Sequence, residues 1–187
     1  MIVDDSPERA SLLTGALAEN GHDVIAHSST TLNLHQRVEA LQPDVIIIDT
    51  ESPDRDTLEH LCLVSENQPR PIVMFTHDGD RDKIRAAVRA GVSAYVVNGL
   101  APERIEPIID AAIARFDEYH ALKDELREAN VRLAERKVIE RAKGILMKAR
   151  GLTEDDAYRA LRKLAMDKNL RLAAVAEQVI SVAGLLA

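Results

Sequence analysis

The chain has 187 residues, of which 46% are apolar and 29% charged, with a formal net charge of −7, the balance of an ordinary globular protein. Cys62 is its only cysteine, so an internal disulfide is excluded and a reducing cytoplasm is the expected setting. No apolar run approaches the ~20 residues of a membrane span, which excludes a helical membrane protein.

Up to about residue 100, short apolar runs alternate with longer amphipathic ones. "MIVD", "DVIAH", "DVIIID", "PIVMFT" and "SAYVV" read as strands, and Val45 to Ile48 is continuously apolar, as a strand covered on both faces must be. The first run is short for an opening strand, so the natural N-terminus is expected to extend beyond Met1. Between the strands, "PERASLLTGALAEN", "TLNLHQRVEALQ", "DTLEHLCLVSEN" and "DRDKIRAAVRA" carry helical spacing. Ser6 before Pro7 marks a helix start, and Gly21 and Gly91 stand where helices stop. This alternation predicts an α/β fold with a five-stranded parallel, doubly wound sheet.

In such sheets the functional crevice lies beyond the C-terminal ends of the strands. That rule gathers Asp4 and Asp5 from the first strand, Asp49 from the third and Thr76 from the fourth. Three convergent carboxylates repel one another unless a hard cation joins them, and magnesium suits a few carboxylates while keeping several waters. A metal-bound aspartate beside a hydroxyl is also suited to carrying an acyl phosphate. The six histidines show no ligand spacing and are read as satisfied or surface residues.

Residues 1 to about 115 resemble the receiver domain of two-component response regulators. The resemblance is carried by "VDDS", "IIIDTESP", "MFT" and "AGVSAYV". It implies a flavodoxin-like sheet, Asp49 as the phosphorylation site, and Asp5 with Asp49 as magnesium ligands assisted by Asp4. It also implies Thr76 and Tyr95 as a switch pair. One departure stands out, because receivers follow the last strand with lysine and proline, and this chain has Asn98-Gly99. Asparagine offers a hydrogen bond but no charge to a phosphoryl group. Phosphorylation is therefore expected to switch this protein weakly.

The charge changes sign along the chain. Residues 1–119 hold 10 basic and 21 acidic residues, a balance of −11, whereas residues 120–187 hold 14 and 10, a balance of +4. After Pro107 no proline occurs, and a single helix is expected to run to about residue 149. Ile109, Ala112, Phe116, Tyr119, Leu126 and Leu133 form a near-heptad stripe interrupted by Lys123 and Asn130, the pattern of a dimer seam with register-fixing polar residues. Gly151 stops that helix, Thr153 caps the next, and Leu172 to Ile180 line the last. The result is a long helix and a three-helix bundle, with domains at 1–115, a linker helix at 116–135 and a bundle at 125–187 that shares the linker.

"RAKGILMKARG" is no phosphate loop, since no strand precedes it and no Gly-Lys-Ser/Thr ends it. Ile139, Ala142, Leu146 and Met147 read as a packed face, and Gly144 as a point of close helix approach. Between residues 136 and 171 there are 11 basic and 5 acidic residues, a footprint for a polyanion. Arg136, Lys137, Arg141, Lys143, Lys148, Arg162, Lys168 and Arg171 are the residues expected to meet it, with Tyr158 the one aromatic available for stacking.

Residues 125–186 resemble the ANTAR domain, a three-helix RNA-binding antitermination module, through "AKGILM", "AYRALRKLA" and "LAAVAEQV". Antiterminators of nitrate assimilation resemble the whole chain, including its "ESPDRDT" loop and the missing receiver lysine. The resemblance implies a cytoplasmic, non-enzymatic regulator that binds paired hairpins in leader RNA as a homodimer. It also implies control by a nitrate-sensing inhibitory partner protein. Two other readings compete. A duplex-DNA regulator needs a recognition helix with base-reading side chains, but the last helix offers only Glu177, Gln178 and Ser181 after Arg171. A protein-binding signalling adaptor leaves the basic cluster without a purpose.

Overall fold

The structure, a computed structural model, describes residues 1–98 and 102–185. Two compact units divide the chain, Met1–His120 and Ala121–Ala187. The first alternates β1 (Ile2–Asp4), α1 (Pro7–Glu19), β2 (His27–Ser28), α2 (Leu34–Leu41), β3 (Ile46–Thr50), α3 (Arg55–Asn67), β4 (Ile72–Thr76), α4 (Arg81–Arg89) and β5 (Ala94–Val97). All strands are parallel, in the order β2-β1-β3-β4-β5.

The period-2 geometry of the strands sorts their side chains onto two faces. Val3, Ile46, Ile48, Ile72 and Met74 pack with α2, α3 and α4 on one face. Ile2, Ile47, Val73 and Phe75 pack on the other with Leu13 and Leu17 of α1 and with Ile105 and Ile109 of α5. Helix α5 spans Pro102–Arg150, as the proline-free run predicted.

Local differences from the sequence reading have physical causes. The second strand is only His27 and Ser28, paired with Ile2 and Val3 of β1, so it overlaps the run read as a strand at His27 alone. Helix α2 begins later than expected, since Asn33 adopts the left-handed conformation immediately before it. Gly91 is required twice over. Its φ is +97°, and a Cβ there would meet Ser65 Oγ at 1.8 Å.

In the second unit, the C-terminal part of α5 packs with α6 (Glu154–Lys168) and α7 (Leu172–Leu185). The core is small: Ala142, Leu161, Ala165, Val175 and Ala176 are buried, with Ile139, Leu146 and Leu164 around them. Gly151, at φ +63°, turns the chain between α5 and α6, and the Thr153 hydroxyl caps α6 by accepting from the Asp156 amide.

Two expectations for this stretch are corrected. Met147 is 37% exposed and is not part of the packed face. A side chain at Gly144 would meet nothing within 4 Å, so no close helix approach explains that glycine.

Candidate functional site

The sheet register builds the acidic crevice. Asp4 and Asp49 are direct partners across β1 and β3, and Thr50 pairs with Thr76 across β3 and β4. Asp4 is 1% exposed and Asp49 8% exposed, so two carboxylates are held side by side with little water. Burial, and then the Asp4 charge, push the Asp49 carboxyl above its ordinary range, against the opposing pull of Arg9 and His77.

The expected trio of Asp4, Asp5 and Asp49 is not gathered around one point. Among the described residues no group of three or more His, Cys, Asp or Glu side chains has metal-binding geometry. Asp5 lies past the strand end with its side chain 72% exposed. The centre of the crevice is taken by Arg9, a residue the sequence reading passed over. Its Nη2 donates to Asp4 Oδ1 at 3.1 Å and to Asp5 Oδ1 at 2.8 Å, and its Nε lies 3.3 Å from Asp49 Oδ2. Three repelling carboxylates are thus joined by a guanidinium of the chain itself. Arg9 reaches them because Ser6 caps α1 and the Ser6 amide donates to Asp4 Oδ1 at 2.7 Å, which fixes the first turn of α1 over the strand end.

The hydroxyl side of the crevice is equally ordered. Thr76 Oγ1 donates to the Glu51 carbonyl at 2.8 Å and accepts from the Asp78 amide at 3.2 Å. The Tyr95 hydroxyl donates to the Asp78 carbonyl at 2.8 Å, so both expected switch residues bind the loop between β4 and α4. Asp78 is a hub the sequence reading also missed. Lys83 Nζ donates to its carboxylate and to Ser52 Oγ, each at 2.6 Å. Those bonds, with one from Ser52, hold the Asp78 carboxyl well below the usual carboxylate range. Asn98 is exposed and left-handed, with φ +66°, and its amide donates to the Thr76 carbonyl at 3.0 Å. Gly99, the other half of the departure from the receiver pattern, lies outside the described residues.

In the second unit, Arg136, Lys137, Arg141, Lys148, Arg162, Lys168 and Arg171 are all exposed. Lys137, Arg141 and Lys148 are spaced by four and seven, which puts them on one stripe of α5. Arg162, Asn169 and Arg171 rim an open hollow of about 400 Å³ with Met166 and Leu170 in its wall.

Lys143 departs from this set. It is 7% exposed, and its ammonium donates to Glu154 Oε1 at 2.7 Å and to both Glu140 oxygens at 2.9 Å. The glutamates raise its pKa, Glu154 first, and the lysine is occupied within the bundle rather than presented to a polyanion.

Comparison with known proteins follows this division. The response regulator receiver domain matches residues 1–110, and the ANTAR domain matches residues 127–180. The transcriptional regulatory protein PdtaR of Mycobacterium tuberculosis is 32% identical over 184 residues, covering 98% of this chain and 90% of that protein. The nitrate regulatory protein of Klebsiella oxytoca is 43% identical over 68 residues, covering 36% of this chain and 17% of that protein. The signal receiver domain of a modulated diguanylate cyclase from Desulfovibrio desulfuricans superposes with a TM-score of 0.55 at 22% identity, covering 63% of this chain and 94% of that one, a likeness of fold. The chain therefore belongs to the response regulator family, in the form that joins a receiver to an ANTAR domain.

Proposed function

We propose that this chain is a cytoplasmic transcription antiterminator that binds paired hairpins in leader RNA, as a homodimer, and performs no catalysis. The observation that carries the reading is the exposed cationic stripe Lys137, Arg141 and Lys148 within the segment that matches the ANTAR domain. Regularly spaced cations on a helix suit phosphates, and the hollow beside Arg162 and Arg171 suits an unpaired loop base between cationic walls. Held on two hairpins at once, a dimer gains from effective concentration without new contacts. Tyr119, Leu122, Leu126 and Leu133 are more than half exposed on α5 and offer it a seam.

In the receiver, Asp49 is the phospho-acceptor of this reading and Thr76 with Tyr95 its switch. Asp4 and Asp49 would hold magnesium, with Asp5 joining once it releases Arg9. Asp4 Oδ2 has no hydrogen-bond partner among the described residues, which fits an oxygen open to a hard cation. Bound there, the ion would neutralise charge on a phosphoryl group.

Nitrate assimilation as the regulated process, with a nitrate-sensing partner that sequesters the protein, has support from the match to the nitrate regulatory protein and from the uncharged Asn98. Filter binding of the full chain to a two-hairpin RNA and to duplex DNA, across a salt series, tests the main reading. RNA should be preferred, and Arg162→Ala should lower the salt slope by about one unit. Equal binding to duplex DNA would sink the antiterminator reading, and no binding to either would favour a protein-binding adaptor.

A further inference from the structure

Two buried polar atoms in the crevice lack a hydrogen-bond partner among the described residues, Asp4 Oδ2 and Arg9 Nε. Nε lies 3.3 Å from Asp49 Oδ2, close enough for an ion pair but not aligned to donate a hydrogen bond. The rest of the guanidinium is anchored, because Nη2 donates to Asp4 and Asp5 at once. Arg9 is therefore a cation held by two carboxylates that faces the third with a spare donor.

A phosphoryl group on Asp49 would extend the acceptor by one P–O bond and add three oxygens. It would also add negative charge beside the buried Asp4. Among the described residues Arg9 is the one cation in an ion pair with Asp49. Lys83 is committed to Asp78 and Ser52, and Asn98 is exposed and uncharged.

We propose that Arg9 is the phosphoryl-binding cation of this receiver, its Nε–H donating to a phosphoryl oxygen on Asp49 and supplying the charge that position 98 lacks. The proposal rests on the reading of Asp49 as phospho-acceptor. In the step itself, an Asp49 carboxylate oxygen attacks the phosphorus of a small acyl phosphate. The donor's P–O bond breaks, the carboxylate of the donor leaves with the electron pair, and no proton or redox partner is needed. A guanidinium suits this position, since its fork can keep one contact to the carboxylates while turning another to the phosphoryl group.

The test follows phosphate uptake by the full-length chain from acetyl phosphate with magnesium present, by intact mass. Wild type should gain one phosphoryl group and Asp49→Ala none. Arg9→Gln should slow uptake at least about tenfold, a floor below the roughly hundred- to thousand-fold loss typical when one positioned charge-stabilising donor is removed, with an unchanged circular dichroism spectrum. Adding Asn98→Lys to Arg9→Gln should restore the rate to within about threefold, while Asn98→Lys alone should gain less than about threefold because the charge is already supplied. An Arg9→Gln rate equal to or above wild type overturns the proposal, as does a slow variant that Asn98→Lys fails to rescue. A wild type that takes up no phosphoryl group overturns the phospho-acceptor reading and this proposal with it. A wild type that is phosphorylated while Arg9→Gln matches it overturns the proposal alone.

Discussion

Lys143 Nζ donates to Glu154 Oε1 at 2.7 Å, bridging α5 and α6 across the turn between them. The same ammonium holds Glu140 one turn earlier on α5, so three charges form a clasp beside the turn at Gly151. Lys143→Met should lower the melting temperature of the helical signal only slightly, because the two glutamates are more than half exposed and screened by water, while leaving the salt slope of RNA binding unchanged in the cold. A slope reduced by about one unit would return Lys143 to the RNA-facing set. The clasp also has a pH signature. The Glu154 carboxyl is held below its usual range, chiefly by the Lys143 hydrogen bond. A depressed carboxylate contributes stability that is present above the unfolded pKa and lost as pH falls through the folded one. Melting should drop below about pH 4, where carboxylates ordinarily titrate, and Lys143→Met should flatten that drop.

Asp49 carries the opposite sign. Its carboxyl is pushed up by burial first and by Asp4 second, so the folded chain holds that proton more tightly than the unfolded chain does. Its favourable contribution is fully present below the unfolded pKa, about 4, and is lost as pH rises through the folded value. Asp49→Asn should accordingly raise the melting temperature of the receiver at pH 7, and the gain should shrink toward zero as pH is lowered to about 4. Thermal melts at four or five pH values suffice. A variant less stable than wild type at pH 7 would mean that the Arg9 ion pair outweighs burial and the Asp4 charge.

The α5 stripe divides into two parts with different duties. Ile109 and Ala112 are buried in the receiver core, whereas Leu126 is 62% and Leu133 52% exposed in the single chain. If the exposed part is a dimer seam, light scattering at micromolar concentration should return twice the 20.6 kDa chain mass. Leu126→Lys should shift that value toward the monomer and weaken binding to a two-hairpin RNA more than to a single hairpin, because tethering is lost. A monomer at high micromolar concentration would remove the seam.

Much of this architecture was legible in the sequence because it follows from periodicity. Continuous apolar runs marked strands covered on both faces, and the strand-end rule brought Asp4, Asp49 and Thr76 to one crevice, as the register does. Arg9 was not legible, since its position among the carboxylates depends on how the capped first turn of α1 sits over the strand end. The one signal in the sequence was the spacing of four between Asp5 and Arg9. The ion pairs of Lys143 were not legible, because it stands in a basic stretch. The available signal was acidic residues three before it and at the start of the next helix, and its weight becomes clear only when the turn at Gly151 folds Glu154 back. The second strand was misplaced because apolar character was taken as strand, whereas Ile25 is 51% exposed and only His27 of that run pairs with β1.

Control of RNA binding is where the two regulatory readings part. Asn98 precedes α5, the helix that carries the basic stripe, by four positions, while Arg9 lies on α1. A charge at position 98 would act on a phosphoryl group from the end of β5, whereas Arg9 engages the same group from α1. If Arg9 rather than position 98 carries the phosphoryl charge, phosphorylation draws first on α1. That helix meets α5 through the apolar contacts of Leu13 and Leu17 with Ile105 and Ile109, and RNA binding is expected to change little. The RNA affinities of wild type, Asp49→Ala and acetyl phosphate-treated wild type should then agree within about threefold, and a sequestering partner would set the output. The reciprocal linkage is measurable, since a partner that releases the protein when it binds nitrate must bind nitrate less well while complexed. A tenfold gain in RNA affinity on phosphorylation, about 1.4 kcal/mol, abolished in Asp49→Ala, would show that the signal does pass from Asp49 to α5 and would make the phosphoryl group the switch.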